Sequence, residues 1–252
     1  MKRIFLIAGL IIVLIGILMF ILSDSGLVNY LNPKDDSTAT TTNKAGPISY
    51  DFSSSTPKDK LTIDKKLETR ALNIINQTPG NKEIEKLYLS IKNDISNLNN
   101  WIQLGILKEE IKDYEGARQV LEFASQLNPK NFISYQNLGD LYGFYLKDPI
   151  KAEQNYLKSI ENDLTNIDAY LNLSDVYWSG AKEERAKIEG LLLRGIQVNL
   201  GDNQMPLMGR LSRYYEEIGD IKNAIVYYEK IYTAHPENKA IKDEIDRLKS
   251  LQ

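Results

Sequence analysis

The sequence predicts an all-α protein, in which stacked helical hairpins form a solenoid behind an N-terminal membrane-spanning helix. One observation behind this prediction is an apolar pattern of helical spacing that occurs four times, at nearly even intervals, from residue 98 onward. Another is an uncharged, proline-free apolar run that extends from Ile4 to Leu22. The composition fits a folded body, since 42% of the 252 residues are hydrophobic and 26% are charged.

The segment 1–22 is predicted to anchor the chain in a bilayer. The run 4–22 would measure about 28 Å as a helix, close to the hydrocarbon thickness of a membrane. A buried core helix is disfavoured, because core helices seldom lack every polar residue. A cleaved signal peptide is disfavoured too, because its apolar region is normally shorter and ends in small residues. Whether this segment is ever cleaved stays open.

The charges that flank this run predict how the chain is oriented. Lys2 and Arg3 precede it, and Asp24 is the first charge after it. By the positive-inside rule, the N-terminus is cytoplasmic and the rest of the chain is extracytoplasmic, in the periplasm or at the cell exterior if the source is bacterial. The inverted topology remains as an alternative.

Between the anchor and the repeats, the composition predicts a spacer. Residues 23–61 are rich in Ser, Thr, Asp, Asn and Pro, with sparse and unperiodic apolar side chains. Such a segment cannot bury enough surface to offset its chain entropy, so we expect a disordered linker. Residues 62–97 carry a weak helical pattern, which is interpreted as a possible degenerate helical pair.

Residues 98–252 contain four copies of one helical unit. Each copy has a large residue, then a leucine three positions later, then Gly or Ser. These positions are Trp101, Leu104, Gly105; Tyr135, Leu138, Gly139; Tyr170, Leu173, Ser174; and Met208, Leu211, Ser212. We expect the large aromatic residues to fill the core between neighbouring helices, and the small residues to let two helices approach closely. A second helix follows in each unit. In the first unit it spans Tyr114 to Leu127 and stops before Pro129, and in the last it stops before Pro236, because proline cannot continue a helix interior.

These residues resemble the tetratricopeptide repeat (TPR), a helix–turn–helix unit of about 34 residues. Lys108 replaces the usual tyrosine of the first copy, whereas Tyr142, Tyr177 and Tyr215 keep it in the others. The second copy has one extra residue and the third about four, before their second helices. The resemblance implies a TPR α-solenoid of about four repeats, and residues 239–251 suit a capping helix.

The resemblance also implies that a partner binds in a concave groove lined by the first helix of each repeat. The groove positions indicate an acidic surface with apolar patches and a single base. The candidate contact residues are Ile102, Ile106, Glu109, Gln136, Asp140, Phe144, Leu171, Asp175, Trp178 and Arg213. The TPR subclass that grips carboxylates with lysine and asparagine is therefore excluded, and a basic or amphipathic protein segment is the expected partner.

Composition argues against other functional classes. There is no cysteine and only one histidine, so the chain has almost none of the residues that thiolate metal sites and histidine-based active sites need. The part after the anchor carries a formal charge of −5, which is unsuited to nucleic acid. No catalytic or cofactor motif is present, and we expect no enzyme activity, cofactor or metal.

The predicted function is a membrane-anchored protein-interaction scaffold of an envelope-assembly, secretion or translocation complex. The alternative is a self-assembling structural protein without a peptide ligand, and the oligomeric state stays open.

Overall fold

The computed structural model describes residues 65–75 and 82–252, and this part of the chain is helical without a strand. The predicted anchor and linker lie outside the described residues. Among the described helices, none combines the length and the apolar character that a membrane crossing needs. The predicted all-helical solenoid is thus confirmed for the part that the structure describes.

Together with a π-helical turn (Leu141–Tyr145) and a 3-10 turn (Gly201–Gln204), the described part of the chain has twelve α-helices. They are α1 (Lys65–Ile75), α2 (Lys82–Asn93), α3 (Leu98–Glu110), α4 (Tyr114–Leu127), α5 (Phe132–Asp140), α6 (Pro149–Asn162), α7 (Ile167–Trp178), α8 (Lys182–Arg185), α9 (Lys187–Val198), α10 (Met205–Glu217), α11 (Ile221–Ala234) and α12 (Lys239–Lys249). The four repeats are the hairpins α3/α4, α5/α6, α7/α9 and α10/α11. Helix α12 packs on α11 and closes the array.

Most of these helices begin with a side-chain cap whose chemistry depends on the place of the helix in its repeat. Asparagine caps α3, α5, α7 and α12, while aspartate caps α4, α6 and α11. In each case the side-chain oxygen accepts a hydrogen bond from a backbone N–H in the first turn, which would otherwise lack a partner. The residue before each aspartate cap has positive φ: Lys112, Lys147 and Gly219. These left-handed residues turn the chain from the first helix of a repeat into the second.

Within the first two repeats, a glycine lets the paired helices approach closely. A Cβ atom on Gly105 would lie 2.6 Å from the side chain of Leu121, and one on Gly139 would lie 2.6 Å from the ring of Tyr156. Either distance is well inside van der Waals contact, so only glycine fits. The small residues of the repeat therefore serve the close packing that the sequence predicted.

Two of the large repeat residues fill the space between neighbouring helices as expected. Trp101 and Tyr170 are fully buried, and the indole N–H of Trp101 donates to the carbonyl of Ile95 at 2.9 Å. Tyr135 is only half-buried, which corrects its assignment to the core.

The hydrophobic core of the described residues has two clusters. Helix α4 joins them, because Phe123 packs in the N-terminal cluster whereas Leu121 packs in the C-terminal one.

The possible degenerate pair at 62–97 contains two helices, α1 and α2, but it packs differently from the repeats. In the repeats, each first helix contacts the first helix of the next unit, as α3 does with α5. Helix α1 instead packs against α4, a second helix. Arg70 on α1 donates a 2.5 Å hydrogen bond to Gln126 on α4 and lies 3.6 Å from Glu122. Helix α1 thus lies on the side of the second helices at the N-terminal end of the array, while α2 contacts the first helix α3.

The two irregular repeats absorb their extra residues in different ways. In the second repeat the extra residue widens the end of the first helix into a π-helical turn, Leu141–Tyr145, in which the N–H of Leu146 bonds the carbonyl of Leu141 at 2.8 Å. In the third repeat the insertion forms the short helix α8 between α7 and α9. Both insertions lie at the ends of first helices, beside the expected groove.

Candidate functional site

The first helices α3, α5, α7 and α10 lie side by side and form one face of the array, called here the inner face. Eight of the ten predicted contact residues lie at least partly open to solvent. Phe144 and Arg213 are exposed, whereas Ile106, Glu109, Asp140, Leu171, Asp175 and Trp178 are half-buried. The inner face therefore keeps most of the predicted set accessible.

Two predicted contact residues are buried, which corrects their placement on the groove surface. Ile102 has no exposed area and belongs to the same hydrophobic cluster as Ile84 and Ile91 of α2, a helix that contacts α3. Gln136 is also fully buried, and its side-chain oxygen accepts a 2.7 Å hydrogen bond from Asn166. Position in the repeat predicted both residues, but neighbouring helices remove them from solvent.

Three carboxyl groups from consecutive first helices form an acidic row on the inner face: Glu109 on α3, Asp140 on α5 and Asp168 on α7. They act on one another electrostatically, Glu109 with Asp140 and Asp140 with Asp168. No ion pair in the described part of the chain neutralises any of the three. Burial raises the pKa of Glu109 to about 7 and that of Asp140 to about 6.

Asp140 is held rigidly at the centre of this row. Its Oδ1 accepts hydrogen bonds from the Tyr156 hydroxyl at 2.6 Å and from the Asn172 amide at 2.8 Å. Its Oδ2 has no hydrogen-bond partner among the described residues and is not sealed from solvent. A carboxylate oxygen with this geometry can accept a hydrogen bond from a cationic group that enters the groove.

An aromatic pair lies next to the acidic row, at the π-helical turn. Phe144 is 40% exposed and Tyr145 is 43% exposed. The ring of Tyr145 stacks on that of Tyr114 with centroids 4.9 Å apart, and its hydroxyl interacts electrostatically with the Glu109 carboxyl group. The extra residue in the second repeat thus places Tyr145 near the Glu109 carboxyl group of the preceding repeat.

The C-terminal part of the inner face has a different charge balance. Arg210 on α10 makes a two-pronged ion pair with Asp175 on α7, with a second contact of 3.3 Å. Trp178 meets the ring of Tyr214 edge-to-face at 6.4 Å. The guanidinium of Arg185 lies over the indole, 4.9 Å from the ring centre. Trp178 is half-buried, and part of its surface is covered by the chain itself.

Two arginines of this region, Arg185 and Arg210, were missed by sequence reasoning. Arg210 lies on a first helix outside the assumed groove positions, and Arg185 comes from the insertion, which has no counterpart in the repeat. Arg185 could have been found from the sequence, because it is a basic residue in an insertion that closely follows Trp178.

An open cleft of about 460 Å³ continues this surface toward the cap, lined by Arg213, Glu216, Glu217, Tyr228, Ala240, Ile241 and Glu244.

No cluster of candidate metal ligands is assembled in the part of the chain that the structure describes. Within residues 65–75 and 82–252, no group of three or more His, Asp and Glu side chains could hold a metal ion. His235 lies between two carboxylates at the surface, 3.1 Å from Asp202 and 3.0 Å from Glu237.

Comparison with known proteins gives a family match for two segments of the chain. Residues 133–166 and 206–238 match the family described as tetratricopeptide repeat. No curated protein matches the chain.

Several solved structures share the architecture. A crystal structure of MamA is 21% identical, with a TM-score of 0.52, and the match covers 71% of this chain and 98% of that one. A MamA RS-1 ArsTM double mutant is 17% identical, with a TM-score of 0.50 and coverage of 71% and 96%. YrrB, described as a TPR protein with an unusual peptide-binding site, is 16% identical, with a TM-score of 0.49 and coverage of 66% and 82%. At this level of identity, the two MamA structures show the fold alone.

Proposed function

We propose that this chain, a protein of tetratricopeptide repeats, is a membrane-anchored scaffold whose inner face binds an extended segment of another protein. The single observation that carries the proposal is the acidic row beside an exposed aromatic pair. Glu109, Asp140 and Asp168 have no ion-pair partner in the described residues, and Phe144 and Tyr145 offer apolar surface next to them. Like charges so close together do not stabilise the fold, whereas they favour the binding of a cation.

The chemistry of this surface favours a basic or amphipathic partner segment. Lysine or arginine side chains would pair with the carboxylates, and an apolar side chain between them would pack on Phe144. A segment bound in this way buries aromatic anchors inside a polar rim, which is the usual arrangement of a protein interface.

The sequence of segment 1–22 supports anchoring in a membrane, with the repeats on the extracytoplasmic side. A scaffold in that position would serve a complex for envelope assembly, secretion or translocation. A membrane-impermeant thiol reagent tests the topology, because the chain has no cysteine of its own. A Thr40→Cys variant in intact cells should react with the reagent. Protection from it until the cells are opened would place the repeats in the cytoplasm.

Site-specific photo-crosslinking in the native host cell tests the binding proposal. A photoreactive phenylalanine analogue at Phe144 should capture a partner protein, and a Glu109→Gln change should reduce the yield. The matched control position is Val226 on α11, which is 38% exposed against 40% for Phe144 but lies on a second helix. Equal capture at both positions would contradict the proposal. Capture of only a second copy of the chain would favour the self-assembling alternative.

A further inference from the structure

The insertion in the third repeat places an arginine flat against the groove tryptophan. Arg185 ends the short helix α8, and its Nε–H donates to the carbonyls of Trp178 and Gly180, at 3.1 Å each. These bonds and the contact with the indole ring hold the guanidinium in place. Arginine on an aromatic face is a stable arrangement, because the ring quadrupole attracts the cation.

The outer edge of this guanidinium is unoccupied by the protein. Neither terminal nitrogen of Arg185 forms a hydrogen bond or an ion pair with the described residues, and neither is sealed from solvent. The two nitrogens therefore present a fixed fork of N–H donors. A fork of this shape matches the two oxygens of a carboxylate in a bidentate pair.

The surroundings of Arg185 are richer in arginine than the rest of the inner face. Three guanidinium groups, those of Arg185, Arg210 and Arg213, act electrostatically on Glu217. Arg210 is already paired with Asp175, while Arg213 is exposed. The remaining acids nearby have other partners: Glu216 pairs with Arg247, and Glu184 pairs with Lys187.

We propose that Arg185, stacked on Trp178 and assisted by Arg213, is the binding site for a carboxylate of the partner segment. This inference rests on the proposed function, since it assumes that the inner face binds a protein segment. It gives that segment a direction. Its basic residues lie against the acidic row of α3, α5 and α7, and an acidic residue lies against the C-terminal end, near α8 and α10.

Glu217 is the internal competitor for this site. Its carboxylate is exposed on α10, and all three arginines act on it. A carboxylate of the partner must share or replace that interaction. Removing the negative charge of Glu217 should therefore strengthen binding of an anion, and removing the charge of Arg185 should weaken it.

Nuclear magnetic resonance of the indole N–H groups gives a direct readout. The chain has two tryptophans, and Trp101 is fully buried, whereas Trp178 is only partly covered. The full-length chain in detergent micelles, labelled with ¹⁵N-tryptophan, is titrated with a tetraglutamate peptide blocked at both ends. Blocked tetraglutamine is the neutral control. Tetraglutamate should shift the Trp178 signal and leave that of Trp101 unchanged, with a Kd of roughly 1 mM for so short a probe.

Four variants decide whether the fork binds the peptide. Arg185→Gln should weaken tetraglutamate binding about fivefold or more, and Arg185→Lys should weaken it nearly as much, because lysine keeps the charge but lacks the planar fork. Lys182→Gln, on the same helix, removes one positive charge without touching Trp178 and should change Kd less than about twofold. Glu217→Gln should tighten binding.

A Trp178 signal that tetraglutamate does not move would overturn the inference, as would equal losses in the Arg185 and Lys182 variants. Either failure is distinguishable from failure of the proposed function. The crosslink is formed from Phe144 in the second repeat and does not depend on Arg185.

Discussion

The hydroxyl of Tyr177 donates a 2.7 Å hydrogen bond to the Glu153 carboxylate of the preceding repeat. The same bond recurs at the neighbouring junctions. Tyr142 donates to Glu122 at 3.0 Å, and Tyr215 donates to Glu189 at 2.6 Å. Each first helix is thereby fastened to the second helix of the unit before it. The tyrosine of the repeat serves stacking between units, in addition to filling the core.

Removing one of these hydroxyl groups should weaken the junction between two repeats. Tyr177→Phe is expected to lower the free energy of unfolding by about 1–2 kcal/mol, because the lost hydrogen bond had a charged acceptor. Urea denaturation measures the loss. Tyr232→Phe is the control, since the Tyr232 hydroxyl has no hydrogen bond within the described residues. Equal losses of stability in both variants would show that the loss comes from a change in ring packing and not from the hydrogen bond of the Tyr177 hydroxyl.

Lys108, which stands in place of the tyrosine in the first repeat, depends on Asp113. Its ammonium is buried and lies 2.7 Å from the Asp113 carboxylate, which also caps α4. Asp113→Ala should lower the free energy of unfolding by about 2–4 kcal/mol, since it removes a cap and leaves a buried cation without its partner.

The matched control for this prediction is Asp220→Ala. Asp220 caps α11 in the same way without holding a lysine, so its loss should amount to about 1 kcal/mol. Unfolding curves of the two variants that coincide would refute the role assigned to Lys108.

Stability should fall as the pH rises through neutrality because of the acidic row. Burial raises the pKa of Glu109 to about 7 and of Asp140 to about 6, so the folded chain holds protons that the unfolded chain has already released. These two groups favour the folded state below about pH 4 and lose that contribution as the pH rises through 6 and 7. Since Glu109 is only partly buried, we expect a decrease of about 1–2 kcal/mol between pH 5 and pH 7.5.

A variant with Glu109→Gln and Asp140→Asn should show a flatter dependence over this range. The pKa of His235 is also raised, by its contacts with Asp202 and Glu237, and this acts in the same direction. His235 is present in both chains, so the difference between them isolates the two acids. Parallel pH profiles would rule out the acidic row as the cause. Carbon-13 titration of the two carboxyl groups gives their pKa values directly.

Two glycines on first helices should respond oppositely to alanine. A Cβ atom on Gly139 would lie 2.6 Å from the Tyr156 ring, so Gly139→Ala should destabilise the chain by about 1–3 kcal/mol. At Gly209 the nearest atom would be 4.0 Å away, so Gly209→Ala should stabilise α10 by up to about 1 kcal/mol. Thermal unfolding of both variants checks the sign of each change in stability. A loss of stability at both positions would show that backbone freedom, and not lack of space, explains the effect at Gly139.

The repeat architecture was predictable because the apolar pattern occurs four times with similar spacing. The second helix of the first repeat has the predicted bounds, Tyr114 to Leu127. Local chemistry decides such an element, since an aspartate begins it and a proline follows its end. The same pattern could not show that Ile102 is buried in a cluster with residues of α2, because that cluster depends on how a non-repeating segment packs.

The tyrosine–glutamate bonds between repeats also could not be read from the sequence. The separation along the chain between the two partners differs at each junction, being 20 for Tyr142, 24 for Tyr177 and 26 for Tyr215, so no fixed spacing identifies them. Likewise, the position of Arg185 over Trp178 depends on the path of an insertion. The acidic character of the inner face was predictable residue by residue, whereas its division into an acidic part and an arginine-rich part was not.

The π-helical turn at Leu141–Tyr145 shows how a solenoid can gain a residue without losing its order. A one-residue insertion in a regular helix would rotate everything after it by about 100°. Here the strain ends within a single turn, and Ala152 and Tyr156 pack as though nothing had been added. The array can thus vary the outline of its inner face while the periodic framework behind that face keeps its packing.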